Sequence, residues 1–201
     1  MIGKTCTVKL IAILVVMAQV GSYVPAKSMS LALHDAILTR MEASDDLTAG
    51  SSTFMIEISE TRDIINAVTL RSLVILDEVG VGTSTFDGMA IAGAVLEYLC
   101  QGVKCQTLFI THYPNVAREP EARFPDAIGN RPMSFIEDTR LNGRREIPFL
   151  DRLAEGISAG SFGTECARLA GIPESIFDQA TVKAAAMEEL MLMKRRGRPA
   201  T

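Results

Sequence analysis

Two kinds of hydrophobic pattern alternate along this 201-residue chain. The first is the short, unbroken apolar run. Leu73, Val74, Ile75 and Leu76 stand together and are closed by Asp77 and Glu78. Runs of this kind read as strands buried on both faces, as in a parallel sheet. Gln106 to Ile110, closed by Thr111 and His112, predicts another buried strand, and residues 35–41 predict a shorter one. The second pattern has helical period. Leu10 to Ala18 forms one apolar stretch, Phe54, Met55, Ile58, Ile65 and Val68 mark a second, and Ala90, Ile91, Ala94, Val95, Tyr98 and Leu99 mark the core face of a helix over 85–101. Strand, helix and strand in succession predict a right-handed βαβ unit. Residues 115–130, with Pro120 and Pro125, read as loop. Residues 132–138 and 145–153 read as two strands around Asn142-Gly143. A glycine-rich loop then enters a helix over 162–170. Pro173 and Glu174 open a final helix with Ile176, Phe177, Ala180 and Val182 to Met187 on its apolar face. The fold class is α/β.

The chemistry gathers where strands end. Ligands of open α/β sheets bind at the carboxyl edge, and Asp77-Glu78 falls there. Asp77 is suited to hold a Mg²⁺, and Glu78 to polarise a water for attack on phosphorus, although two acids at a strand end are also simply solvated acids. Gly80, Gly82 and Gly88 bracket Thr83-Ser84-Thr85, and Ser84 with Asp87 has the spacing of a capping box. At the other end of the chain, Gly3-Lys4-Thr5 is the tail of G-x-x-x-x-G-K-[ST], with the helix that should follow a phosphate loop. The same residues permit a second reading. Lys4 and Lys9 ahead of an apolar run, with Gly21, Ser22 and Ala26 after it, also suit a secretory signal, too short to span a membrane. Ser52 reads as a helix N-cap, and His112 as a structural or surface histidine.

Composition narrows the field. Net charge is −4, and no basic stripe occurs before the last few residues, so any DNA contact is expected in other parts of a larger protein. Cys6, Cys100, Cys105 and Cys166 contain no C-x-x-C pair and, with His112 nearby, no zinc spacing, which reads as reduced thiols. Lys194, Arg195, Arg196 and Arg198 read as a solvated, disordered tail, with nuclear targeting or phosphate contact as the alternative.

LVILDEVGVGTSTFDG closely resembles the Walker B strand and following loop of the MutS family of DNA mismatch-repair ATPases, DE-x-G-R-G-T-S-T-x-D-G, with Val81 in place of Arg. The likeness continues elsewhere. MIGKTCTVKLIAILVVMAQVGSYVPA resembles the family's phosphate-loop tail and helix, AILTRMEASDDLTAGSSTFMIEISET its stretch ending in S-T-F-M-x-E, and TLFITHY its T-L-F-x-T-H-[YF]. LAEGISAGSFGTECARLAGIP is similar to its C-terminal glycine-rich segment. Three positions depart from the pattern: Ile2 and Glu42 stand where Gly is usual, and Val81 where Arg is usual. Against this continuation, the helix reading of the first residues prevails over the signal. The chain is expected to begin inside the phosphate loop and to be the C-terminal part of a longer protein. After Arg118 it looks closest to the eukaryotic subunit of the complex that recognises insertion/deletion loops.

The resemblance implies a P-loop NTPase of the ABC-ATPase-like kind, a three-layer α/β fold truncated at its N-terminus, with a C-terminal helical dimerisation element. Residues 1–170 would be the partial ATPase domain, 171–193 the helical element and 194–201 the basic tail. It implies ATP and Mg²⁺ as ligands. Gly3, Lys4 and Thr5 would hold phosphate, Thr5 and Asp77 the metal, Glu78 the attacking water, and His112 would act as a switch near the γ-phosphate. Ser52 would reach the γ-phosphate of a partner subunit in trans. Expected partners are a second MutS-family subunit, mismatched DNA through domains outside this chain, and a MutL-type protein, all in the nucleus, with no membrane. Two alternatives stand beside this: a non-catalytic interaction fragment that keeps the dimer helices, and a secreted relic.

Overall fold

The computed structural model describes residues 3–41, 53–135, 138–139, 145–146, 149–157 and 163–196. The chain divides into two compact units, one comprising residues 2–134 and 150–157, the other residues 135–149 and 158–201.

The first unit is built on a three-stranded parallel sheet in the order β1 (Ile37–Arg40), β2 (Leu73–Asp77), β3 (Gln106–Ile110). Ile37 to Arg40 pair with Leu73 to Leu76, and Leu73 to Asp77 pair with Gln106 to Ile110. β2 is the central strand, and all five of its residues are buried. Its alternate side chains feed two cores, because successive Cβ atoms point to opposite faces of a sheet. Leu73 and Ile75, with Ile110, pack under Val8 and Val15 of helix α1 (Lys4–Gln19). Val74 and Leu76 pack with Ile64 of α2 (Thr53–Ala67), Ala92 and Val95 of α3 (Thr85–Glu97), Leu99, and Val116 of α4 (Pro114–Arg123). The architecture is therefore helix, sheet, helix, the three layers expected.

Several details differ from the sequence reading. β1 and β3 are edge strands. Only Arg40 of β1 and Ile110 of β3 are buried, whereas both strands were expected to be buried throughout. On α2 the buried row is Glu57, Thr61 and Ile64, and Met55 is exposed. On α3 the buried row is Gly88, Ala92 and Val95, continued by Leu99, so Ala90, Ala94 and Tyr98 face outward instead. The reason lies at the start of α3. The glycine at 88 packs directly on the Gly80 backbone, and this contact sets the helix phase. Beyond Glu97 the helix widens into a π-helical turn, Tyr98–Val103, closed by Lys104 in the left-handed region with its N–H on the Leu99 carbonyl. The stretch expected to be loop after residue 115 contains α4. Pro114 occupies its first turn, where the missing N–H costs nothing, and Pro120 lies buried inside it.

β4 (Met133–Phe135) pairs with β7 (Phe149–Leu153), and the Ser134 hydroxyl donates to the Arg152 carbonyl. Within the second unit, β5 (Asp138–Thr139) and β6 (Arg145–Glu146) pair antiparallel. Their pairing matches the predicted excursion, while the Asn142-Gly143 turn lies outside the described residues. Helix α5 (Gly163–Leu169) leads to α6 (Glu174–Arg196). Pro173 stands immediately before α6, its carbonyl accepting from the Ile176 and Phe177 N–H groups. α6 continues to Arg196, so the first basic residues of the C-terminal cluster are helical.

Candidate phosphate and metal site

The start of α1 and the carboxyl end of β2 meet. Gly3 precedes the helix at φ 103°, a left-handed conformation natural to glycine, and its carbonyl accepts from both the Thr7 N–H and the Thr7 hydroxyl. Free N–H groups at a helix start attract anions, and Lys4 adds a charge there. One residue on, the Thr5 hydroxyl donates to Asp77 Oδ2 at 2.6 Å. A hydroxyl and a carboxylate oxygen in contact, beside a helix N-terminus, form the hard-oxygen pair that suits Mg²⁺ with a phosphate. The residues therefore fit Mg²⁺ and a phosphate group.

Glu78 follows in an unusual conformation. Its φ is 56°, one of two positive-φ residues other than glycine among the described residues. Its N–H donates to the Ile110 carbonyl at 3.0 Å, extending the β2–β3 ladder by one bond while the chain turns away. Glu78 Oε1 lies 3.3 Å from His112 Nδ1, and both side chains are partly open to solvent. Thus Thr5, Asp77, Glu78 and His112 converge at one sheet edge. Ser52 lies outside the described residues, immediately before α2.

The loop after Glu78 is held from three sides. Glu57 of α2, almost completely buried, accepts from the Gly80 N–H and, at 3.4 Å, from the Gly82 N–H. Arg40 of β1, also buried, donates through Nη1 to the Asp77 carbonyl and, at 3.4 Å, to the Glu78 carbonyl. Arg40 and Glu57 lie 3.5 Å apart as an ion pair. Among the described residues Arg40 Nε finds no hydrogen bond, and it lies 3.8 Å from Glu60. From the third side, the Tyr113 hydroxyl donates to the Gly80 carbonyl at 3.0 Å. Burial, then the neighbouring Glu57 and Glu78 charges, pushes the Tyr113 phenol above its ordinary range, so it stays a donor. Gly80, at φ 92°, and Gly88 touch backbone to backbone, leaving no space for a Cβ on either. Ser84 caps α3, its hydroxyl donating to Asp87 and accepting from the Asp87 N–H. Val81 is exposed at the tip of this loop.

Sequence reasoning about single residues passed over Arg40, Glu57 and Tyr113. No local signal marked Glu57: its buried row, with Thr61 and Ile64, is not the apolar face that the helical period picked out.

Known proteins resemble this chain over nearly its whole length. Residues 1–188 match MutS domain V. A DNA mismatch repair protein MSH3 of Cryptococcus neoformans is 49% identical over 197 residues, 98% of this chain and 16% of that protein. MSH3 of Phaeosphaeria nodorum is 49% identical over 96% of this chain and 17% of its own length. The Aspergillus clavatus protein is 46% identical over 98% of this chain, again 17% of that protein. The chain thus spans only about a sixth of the length of these relatives, over the part that holds Thr5, Asp77, Glu78 and His112. It belongs to the MutS domain V family.

Proposed function

We propose that this chain is the ATP-hydrolysing module of a DNA mismatch-repair protein that acts on insertion/deletion loops. The observation that carries the reading is the 2.6 Å contact between Thr5 and Asp77, which joins a phosphate-binding helix start to an acidic strand end, with Glu78 and His112 beside it. In this reading Gly3, Lys4 and the first N–H groups of α1 hold the phosphates of ATP. Thr5 and Asp77 hold Mg²⁺, which when bound neutralises charge on the phosphate oxygens. Glu78 orients a water and accepts its proton, and the water oxygen bonds to the γ-phosphorus as the bond to ADP breaks. His112 supports Glu78 and senses the γ-phosphate. Ser52 acts in trans on the partner's nucleotide.

The whole protein would pair with a second MutS-family subunit and contact mismatched DNA through segments outside this chain. It would engage a MutL-type protein and work in the nucleus. Residues 1–170 would form the ATPase domain, 171–193 a dimerisation element and 194–201 a basic tail. A second reading, an interaction role for the C-terminal helices, is supported by α6, on which Ile176, Val182 and Met187 are all exposed.

The test is steady-state ATP hydrolysis by the intact protein with its partner. Glu78→Gln is expected to lower kcat by about 10²-fold or more, the usual contribution of a positioned general base, with nucleotide binding kept. Unchanged turnover in that variant overturns the assignment of Glu78.

A further inference from the structure

We propose that the buried Arg40–Glu57 pair, with Tyr113, is a positioning device that sets the Glu78 carboxylate for catalysis and links it to the first turns of α2. The inference rests on the ATP-hydrolysis reading above and goes beyond it by assigning three residues that do not touch the reacting atoms.

The starting point is strain. Glu78 sits at φ 56°, where a side chain bearing Cβ is disfavoured. Such conformations persist only where the surroundings over-determine them, and they cluster where chemistry needs a fixed geometry. Here the surroundings can be named. Arg40 donates to the carbonyls of Asp77 and Glu78, Glu57 accepts from the N–H groups of Gly80 and Gly82, and Tyr113 donates to the Gly80 carbonyl. The Glu78 N–H is taken by Ile110. These six hydrogen bonds engage residues 77, 78, 80 and 82, and all but one are made by three side chains: Arg40 of β1, Glu57 of α2 and Tyr113 just before α4.

The chemistry of the grip argues against a purely structural role. A buried ion pair contributes little more stability than well-packed apolar residues of the same size. α2 is already anchored to the apolar core through Ile64. What an apolar residue at 57 could not do is accept the two N–H groups of the loop. The carboxylate has one loop N–H on each oxygen, and its second oxygen also faces Arg40. Glu57 therefore ties the loop to α2 by direct hydrogen bonds. Gly82 sits against the Phe54 backbone in the first turn of that helix, so close that a Cβ would lie 3.0 Å from Phe54. A displacement of the start of α2 is thereby transmitted to the backbone that carries Glu78. Arg40 and Glu57 are placed for this by position: Arg40 ends the strand beside β2, and Glu57 lies one turn into α2.

The experiment compares Glu57→Gln, Arg40→Lys and Tyr113→Phe in the intact protein with its partner, with Glu78→Gln as reference. It measures kcat and KM for ATP, affinity for a fluorescent ATP analogue with Mg²⁺, and thermal melting. A misplaced catalytic group costs rate rather than binding, so Glu57→Gln is expected to lower kcat about tenfold or more with KM and analogue affinity within about twofold. Arg40→Lys, which keeps the charge but loses the planar fork, should fall between it and the unmodified protein. Tyr113→Phe removes one hydroxyl and is expected to lower kcat about threefold without moving the melting temperature. If Glu57→Gln does not fold, Tyr113→Phe decides alone. Unchanged kcat in Tyr113→Phe and Glu57→Gln, with kcat lowered about 10²-fold or more in Glu78→Gln, overturns this proposal and leaves the ATPase reading standing. Unchanged turnover in Glu78→Gln overturns both.

Discussion

The loop after β2 and the helix α6 solve opposite problems. In the loop, Glu57 accepts from the Gly80 and Gly82 N–H groups, Arg40 and Tyr113 donate to the carbonyls of Asp77, Glu78 and Gly80, and the Gly80–Gly88 contact packs backbone on backbone. α6 is a 23-residue helix whose described side chains are largely open, with Val182 at 70% and Met187 at 64% exposure. Its aromatic residue, Phe177, is half-covered, under the Arg168 guanidinium 5.8 Å from the ring centre. A segment held this tightly serves geometry inside its own domain. α6 instead leaves Ile176, Val182 and Met187 exposed, the surface on which the proposed interaction role rests.

Crowding the loop should have the largest effect. Gly88→Ala places a methyl group against the Gly80 carbonyl and the Tyr113 hydroxyl, where backbone has no freedom to yield. Overpacking of this kind is expected to destabilise the fold by about 2–3 kcal/mol. Denaturant melts of the two proteins check it, and an unchanged midpoint would mean that the loop is loosely held after all.

Truncation on α6 should act on binding instead. Phe177→Ala is expected to weaken association with a MutS-family partner about tenfold, or about 1.4 kcal/mol, while the fold still melts cooperatively. Titrating labelled partner against both chains measures the first part, and calorimetry the second. Equal affinities would remove α6 from the interface, and a collapsed melt would make Phe177 a core residue.

The smallest effect belongs to the exposed loop tip. Val81→Arg adds a guanidinium at a position already open to solvent, so stability should change by less than about 0.5 kcal/mol. The added donors are expected to tighten nucleotide-dependent dimerisation. Sedimentation of the intact protein with and without ATP decides this, and identical dimer affinities would show that position 81 does not face the partner.

Much of the site was legible because its signals are local. A strand four apolar residues long, two acids at its end and a G-K-T before a helix each follow from neighbours in sequence. The structure brings Thr5 and Asp77 into contact across 72 positions without altering either expectation. The α3 cap, Ser84 with Asp87, was equally plain. The helix over Pro114–Arg123 was hidden, because Pro120 and Pro125 read as loop, whereas Pro120 lies inside the helix and Pro114 occupies its first turn.

The buried central strand, the helices flanking it and the residue types able to handle phosphate and Mg²⁺ were readable from sequence, since periodicity and strand ends are properties of short stretches; α4 was not. Tertiary structure alone decided which face of each helix is buried. α3 turned its Gly88 row inward because only glycine admits the Gly80 backbone at that distance. It alone decided, too, that an arginine from an edge strand and a glutamate from a helix should meet under the loop. Their partners are backbone N–H and carbonyl groups, present at nearly every position and so unmarked in any motif. Only the folded chain specifies which of them lie within a hydrogen bond of Arg40 and Glu57.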